Sequence, residues 1–203
     1  MHELVVTGNN PDTAAEVAAR VNGVCYAADP HDHRDFPFRT MVRAMTDDAS
    51  LLAPAAECGT YLAFSRIIRE RPHTAEPGSP SPGVTAIFAM VHRPDLSHVE
   101  GDSHWRDTHA PLALAHHPGM WDYTQLSVVA TLSGQPLDGF ALVSFSSLKD
   151  MRERFFGDDN DREVIRADVA KFADGQRSPR RVITTETIYG QRPPVPAVTW
   201  PHD

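Results

Sequence analysis

The chain has 203 residues, 41% of them apolar and 23% charged, with a formal net charge of −8 and a pI near 5.7. That length suits one large domain or two small ones. With no cluster of Lys or Arg able to neutralise phosphates, the acidic balance argues against a nucleic-acid or anionic-membrane partner, and no apolar run approaches a membrane span.

The opening "MHELVVTGNN" lacks a basic segment followed by an apolar core, so no secretion signal is expected. A soluble, cytoplasmic protein is the expectation. Its two cysteines, Cys25 and Cys58, are expected as free, partly buried thiols.

The first part, residues 1–72, begins with a strand, "ELVVTG", and a helix, "PDTAAEVAARV", with Pro11 and Asp12 near its start. "GVCYAAD" reads as a second strand. "DPHDHRD" follows, where His31 and His33 are spaced as two ligands would be if the segment were a strand. No third ligand is in view, so a solvated polar loop is the simpler reading. "FRTMVRAM" is predicted to be helical and "YLAFSRIIRERP" a last strand.

Residues 73–83 belong to a linker, "RPHTAEPGSPSPG", whose prolines, glycines and serines cannot build a helix or a central strand.

The second part, residues 84–192, starts with the apolar strand "VTAIFAMVH". A helix over Ser97 to Pro118 follows, with Trp105, His109, Leu112 and His116 at near-helical spacing. Pro111 falls inside it and predicts a bend or a restart near Ala110. "YTQLSVVATL" and "FALVSFSS" are strands joined by a turn containing Gly134, Pro136 and Gly139. "SLKDMRERFF" and "DREVIRADVAKFA" are helical, and "RRVITTETIY" is the closing β-branched strand. The tail, residues 193–203, is Pro-rich and extended, with Trp200 either tucked into a groove or part of a frayed end.

This order is βαββαβ, the ferredoxin-like split unit. The first part reads as a degenerate copy, and matching Arg71 to Arg192 and Pro72 to Pro193 aligns the two last strands. An antiparallel sheet with helices on one face leaves the other face to be covered, usually by a second sheet. The expected fold class is therefore α+β, with tandem ferredoxin-like repeats packed face to face as an internal pseudo-dimer. A further homodimer would use an outer surface.

The densest chemistry lies in "SHWRDTHAPLALAHHPGMWDY", residues 103–123. Trp105 and His109, four apart, share a helix face, next to a backbone loosened by Pro111. Imidazole suits proton transfer because its pKa lies near neutrality. His109 and Tyr123 are the candidate catalytic residues, and Trp105, Pro111 and Trp121 the candidate substrate-binding ones. The alternative is that His109 only hydrogen-bonds across the helix end. Elsewhere, His116 and His117 can cap carbonyls at the helix end, His104 is expected to be exposed, and His98 and Asp102 stand near the helix start.

No phosphate loop, Gly-x-Ser-x-Gly elbow, Cys-x-x-Cys or His-Glu-x-x-His motif is found. The expectation is no cofactor and no metal, with haem the alternative, since haem needs only one axial His.

The stretch "HWRDTHAPLALAHHPGMWDYTQ" resembles the EthD family, which shares Trp-x-x-x-His-Ala-Pro followed by Pro-Gly, an aromatic and Tyr. Here these are Trp105, His109, Ala110, Pro111, Pro118, Gly119 and Tyr123. "GFALVSFSSLKDM" and "DVAKFADGQRSPRRVITTETI" are similar to the same family's later half, including the Asp168–Phe172 helix end, so the resemblance covers residues 84–189. It does not extend to the first part, which has no Trp-x-x-x-His.

The resemblance implies a dimeric α/β barrel. Its relatives on that fold include polyketide cyclases, isomerases, cofactor-free monooxygenases and haem-handling enzymes. EthD proteins themselves are linked to degradation of a small ether alongside a cytochrome monooxygenase, so fold is implied more strongly than chemistry.

Three functions follow. The first is a cofactor-independent enzyme acting on a small apolar or aromatic molecule from a pocket between sheet and helices. His109 would be its acid/base, Tyr123 a hydrogen-bond donor, and Trp105 and Trp121 its walls. The second is a non-catalytic carrier serving a partner oxygenase, and the third a haem- or oxygen-using enzyme with His109 or His116 as ligand.

Overall fold

The computed structural model describes residues 2–71 and 75–190. Pro72, the Arg192–Pro193 end of the proposed alignment, and the tail with Trp200 lie outside the described residues.

The first half runs β1 (His2–Gly8), α1 (Pro11–Arg20), β2 (Val24–Ala28), β3 (Thr40–Ala44) and β4 (Gly59–Arg69). The second half runs β5 (Val84–Met90), α2 (His98–His104), a π-helical turn (Trp105–His109), α3 (Ala110–His116), β6 (Asp122–Gly134), β7 (Gly139–Phe145), α4 (Leu148–Arg154), α5 (Asp159–Phe172) and β8 (Val182–Ile188).

The eight strands close into one antiparallel barrel in the order β1-β3-β2-β8-β5-β7-β6-β4. Each half contributes four adjacent strands in the same relative order, β4-β1-β3-β2 and β8-β5-β7-β6. The halves join at two seams. One pairs β2 with β8, from Val24 opposite Ile188 to Ala28 opposite Thr184. The other pairs β4 with β6, from Gly59 opposite Gly134 to Arg69 opposite Tyr123, with irregular register along the way. Closure leaves no sheet edge bare, which is the general benefit of a barrel. Among the described residues, no helix is long and apolar enough to cross a membrane.

Alternation along the strands divides the side chains between two layers. Val5, Met41, Ile87, Leu126, Phe140 and Leu142 fill the barrel interior. The outward residues of the second half, among them Ala86, Phe88, Met90, Tyr123 and Val143, meet the helices. In the first half, α1 packs on the outer face, through Ala14, Val17 and Ala18 against Leu4, Val6 and Val42, with Leu52 and Ala55 beside it. Asn10 caps that helix by accepting from the Asp12 and Thr13 amides, as a polar residue before Pro at the first helical position should.

One end of the interior is polar. Arg43 makes a bidentate pair with Glu3, at 2.8 Å for both Nε and Nη2. Tyr26 donates to Glu186 at 3.0 Å, and Arg71 donates to the same carboxylate at 3.0 Å.

The segment "FRTMVRAM", predicted as helix, contains strand β3, which is paired on both sides by β1 and β2. All five residues Thr40–Ala44 are buried. Met41 enters the barrel core while Val42 joins the outer core, a two-faced burial that a single helix face cannot provide. The helical layer after it shrinks to two short 3₁₀ turns, Ala49–Leu51 and Ala53–Ala55. Cys25 and Cys58 are free.

Candidate active site

The helix over the second sheet begins with a capping box: Ser97 accepts from the Glu100 amide, and the Glu100 carboxylate accepts from the Ser97 amide. It cannot run on as a regular α-helix, because Pro111 has no N–H and its ring would press on the carbonyl of Asp107. The chain responds with the π-turn over Trp105–His109, in which the Ala110 amide reaches back to the Trp105 carbonyl. Such single widened turns are frequent at functional sites. Both ends of this one face inward, with Trp105 1% and His109 8% exposed.

Trp105 is tied to the sheet. Its indole N–H donates to the Tyr123 hydroxyl at 3.0 Å. Gln125 donates to the same hydroxyl at 3.0 Å and to the Trp105 carbonyl at 3.1 Å. Burial pushes the Tyr123 phenol up to about 12, although the Gln125 and Trp105 hydrogen bonds favour the phenolate. The hydroxyl is therefore protonated at neutral pH. Two donors occupy its acceptor capacity, and its own O–H is left to donate.

His109 is oriented by Asp168 of α5, with Nδ1 3.0 Å from Oδ2. The other carboxylate oxygen takes His104 Nε2 at 2.9 Å. Burial alone would raise the Asp168 pKa, but the hydrogen bonds from His109 and His104 hold the group down to about 2. An ionised carboxylate can only accept, so His109 carries its proton on Nδ1 and keeps Nε2 as the free ring nitrogen. Phe172 packs on both imidazoles, its ring centroid 5.3 Å from His104 and 5.1 Å from His109.

Trp105, His109, Tyr123 and Phe172 line a cavity of 390 Å³ between the second sheet and its helices. Its wall is largely aromatic, from Phe88, Trp105, Tyr123, Phe155, Phe156 and Phe172. His117 also lines it. Its Nδ1 donates to the Phe155 carbonyl, and burial pushes its pKa down to about 4, so it is a neutral imidazole. Arg181 stands at the cavity with its guanidinium 5.8 Å from the Phe88 ring centre and 6.0 Å from that of Phe155. It makes no ion pair among the described residues.

Of the five residues singled out from sequence, Trp105, His109 and Tyr123 line this cavity and Pro111 and Trp121 do not. Pro111 sits in the first turn of α3 and acts on the backbone. Trp121 precedes β6, is 40% exposed, and packs against the Arg71 guanidinium at 5.3 Å. His104, expected to be exposed, is partly buried on Asp168. His116 bonds Asp161 at 2.6 Å, and His117 bonds a carbonyl beyond α4 instead of one in its own helix. His31 and His33 lie in an exposed loop, so no strand sets their rings on one face.

Asp168 entered the sequence reading only as part of the Asp168–Phe172 helix end and not as a site residue, though a signal was there. Ile165, Asp168 and Phe172 fall on one helix face, and all three are buried. A carboxylate in the middle of an apolar stripe calls for a partner.

The EthD domain family model matches residues 93–176. No curated protein matches this chain in sequence. Among solved structures, an anthrone oxidase-like protein has a TM-score of 0.56 at 11% identity, over 94% of this chain and 93% of that one. A haem-degrading enzyme from Listeria monocytogenes gives 0.47 at 11% identity, over 91% and 98%. A mutant chlorite dismutase from Candidatus Nitrospira defluvii gives 0.48 at 13% identity, over 93% and 91%. At such identities the first of these likenesses concerns the fold alone. The π-turn, Tyr123 and Asp168 all fall within residues 93–176, the span over which this chain is similar to the EthD domain.

Proposed function

We propose that the cavity binds a small aromatic or otherwise apolar molecule bearing an acidic C–H or O–H, and that His109 moves its proton without a cofactor. The observation that carries this reading is the 3.0 Å bond from His109 Nδ1 to the buried Asp168 carboxylate. It fixes the tautomer and leaves Nε2 as the base, with Asp168 able to stabilise the imidazolium that forms.

Removing a proton next to a carbonyl puts negative charge on oxygen. Arg181, a cation at the cavity without an ion-pair partner among the described residues, and the Tyr123 O–H are the groups suited to that oxygen. The aromatic wall supplies the apolar area and keeps water away from the reacting atoms. Enolisation, cyclisation and dehydration are the reactions such a set supports. His109 and Tyr123 are the proposed catalytic residues and Trp105 a substrate-binding wall. The domain division at residues 73–83, with the first half a degenerate copy that closes the barrel, belongs to the same reading.

Haem fits this cavity poorly. His109, its ring held at Nδ1 by the Asp168 carboxylate, is oriented as an axial ligand would be. Against two propionates, however, the lining offers one guanidinium, Arg181, and no lysine.

The test is ligand-observed NMR of the protein against small phenols, anthrones, quinones, lactones and ethers, run in parallel on His109→Ala. Wild type turns over a member of the panel, and the variant binds it but is slower by about 10²- to 10⁴-fold, the usual size of an acid/base contribution. Equal turnover by both proteins overturns the assignment. Binding by both without any product makes the protein a carrier, and a Soret band on adding haemin makes it a haem protein.

A further inference from the structure

His92, His98 and Asp138 converge outside the cavity described above. They come from the segment just after β5, the first turn of α2 and the turn that leads into β7. His98 Nδ1 is 3.1 Å from Asp138 Oδ1, and His92 Nδ1 is 3.7 Å from the same oxygen. The three residues offer ligand atoms that all lie within 4.8 Å of one another.

The carboxylate is itself held in place. Its Oδ2 accepts the His92 amide at 2.7 Å, and the Asp138 amide donates to the Met90 carbonyl at 2.8 Å. Gly101, one turn after His98, lets α2 close down on the His92 ring, since a Cβ there would sit 2.5 Å from Nδ1.

The second observation concerns His92 alone. It is 4% exposed, and neither of its ring nitrogens has a hydrogen-bond partner. A neutral imidazole needs one acceptor and one donor as partners, so leaving both nitrogens dry is costly. Asp138 Oδ1 is too far away to serve. The cost falls if Nδ1 is meant for something larger than a proton.

We infer that His92, His98 and Asp138 bind one divalent first-row transition-metal ion of the Zn²⁺ class. A tetrahedral ion with bonds of about 2.0–2.1 Å keeps its ligand atoms about 3.3 Å apart, and the separations of 3.1 and 3.7 Å bracket that edge. Two imidazoles and one carboxylate suit Zn²⁺, Co²⁺ or Fe²⁺ and do not suit Ca²⁺ or Mg²⁺, which prefer all-oxygen shells. Three protein ligands leave a fourth position for water. That position faces outward, because the His98 and Asp138 side chains are 39% and 29% exposed while His92 is buried behind them. The bound ion pins the start of α2 to the sheet, at the head of the helix that carries Trp105 and His109.

Chelator-treated protein titrated with ZnCl₂ against a chromophoric competitor, and with CoCl₂ followed by visible absorption, tests the site directly. The expected result is one saturable equivalent, with Co²⁺ showing the intense d–d bands of a four-coordinate ion. His98→Ala, at an exposed helix start, and Asp138→Asn, which keeps an acceptor for the His92 amide, each weaken Zn²⁺ binding. The loss exceeds the roughly 10- to 100-fold that removing an outer-shell partner costs. The double variant His31→Ala/His33→Ala binds as wild type does. Circular dichroism of each variant confirms that it is folded. No saturable equivalent, wild-type affinity in either His98→Ala or Asp138→Asn, or loss of binding in the His31/His33 variant overturns the site.

Discussion

The indole N–H of Trp105 meets the hydroxyl of Tyr123 at 3.0 Å, joining the widened turn of the long helix to strand β6 at the wall of the cavity. Gln125 donates to the same hydroxyl, also at 3.0 Å. One oxygen thus satisfies two buried donors. Tyr123→Phe keeps the ring and removes that acceptor, leaving the indole N–H dry. Urea denaturation of the variant is expected to show a loss of about 1–3 kcal/mol, the cost of an unsatisfied buried donor. Wild-type stability in the variant would mean that Trp105 has another partner.

Asp168 positions His109 by accepting from Nδ1 at 3.0 Å. Asp168→Asn can present an amide N–H to that nitrogen, which favours the opposite tautomer. Nitrogen NMR of the imidazole is expected to report an Nδ1–H ring in wild type and an Nε2–H ring in the variant. With a substrate in hand, turnover should fall by about 10²- to 10⁴-fold while the ligand's affinity holds, because the cavity wall is unchanged.

His117 makes stability depend on pH. Burial lowers its folded pKa to about 4 from an ordinary value of 6.5. Below the ordinary value the unfolded chain takes up a proton that the folded one refuses, so the contribution is complete above pH 6.5 and lost as pH falls to about 4. The sum is up to about 3 kcal/mol. His117→Gln should flatten the stability profile between those two pH values, as read by denaturant midpoints. An unchanged slope there would mean that the imidazole is protonated in the folded protein.

Inside the barrel, Arg43 and Glu3 share two bonds of 2.8 Å, and Arg43 also donates to Ser65 at 3.0 Å. Glu3→Ala strands a buried guanidinium. The expected cost is about 3–5 kcal/mol, since breaking one side of a buried pair leaves the other charge without compensation. The thermal midpoint checks it.

The second half of the chain was legible because local pattern and tertiary role agree there. β-branched runs became β5 to β8, and Pro111 announced the irregular turn at Trp105–His109. The strand β3 was not legible, for a physical reason. Arg43 looks like a solvent-facing residue and so favours a helical reading of the methionines around it, yet its charge is satisfied inside the barrel by Glu3, forty positions away. Strand propensity is set by such partners more than by the segment itself.

The site divides in the same way. Trp105, His109 and Tyr123 lie close together in sequence, and the pattern of their stretch brings them forward. Arg181 reaches the cavity from the loop before β8, and Asp168 of α5 stands behind His109, bonded to its Nδ1. Only the closing of the second sheet under its helices brings them to the histidine.

The seam between β2 and β8 joins residues 24–28 to residues 184–188. Until β8 has been synthesised, the nascent chain holds β2 and β5 each with one bare edge, ready to pair with whatever strand is near. Contacts between segments so far apart form slowly, and unpaired edges are what aggregation uses. The ring that protects the finished protein therefore protects it late: until β8 is made, the edges of β2 and β5 stay open.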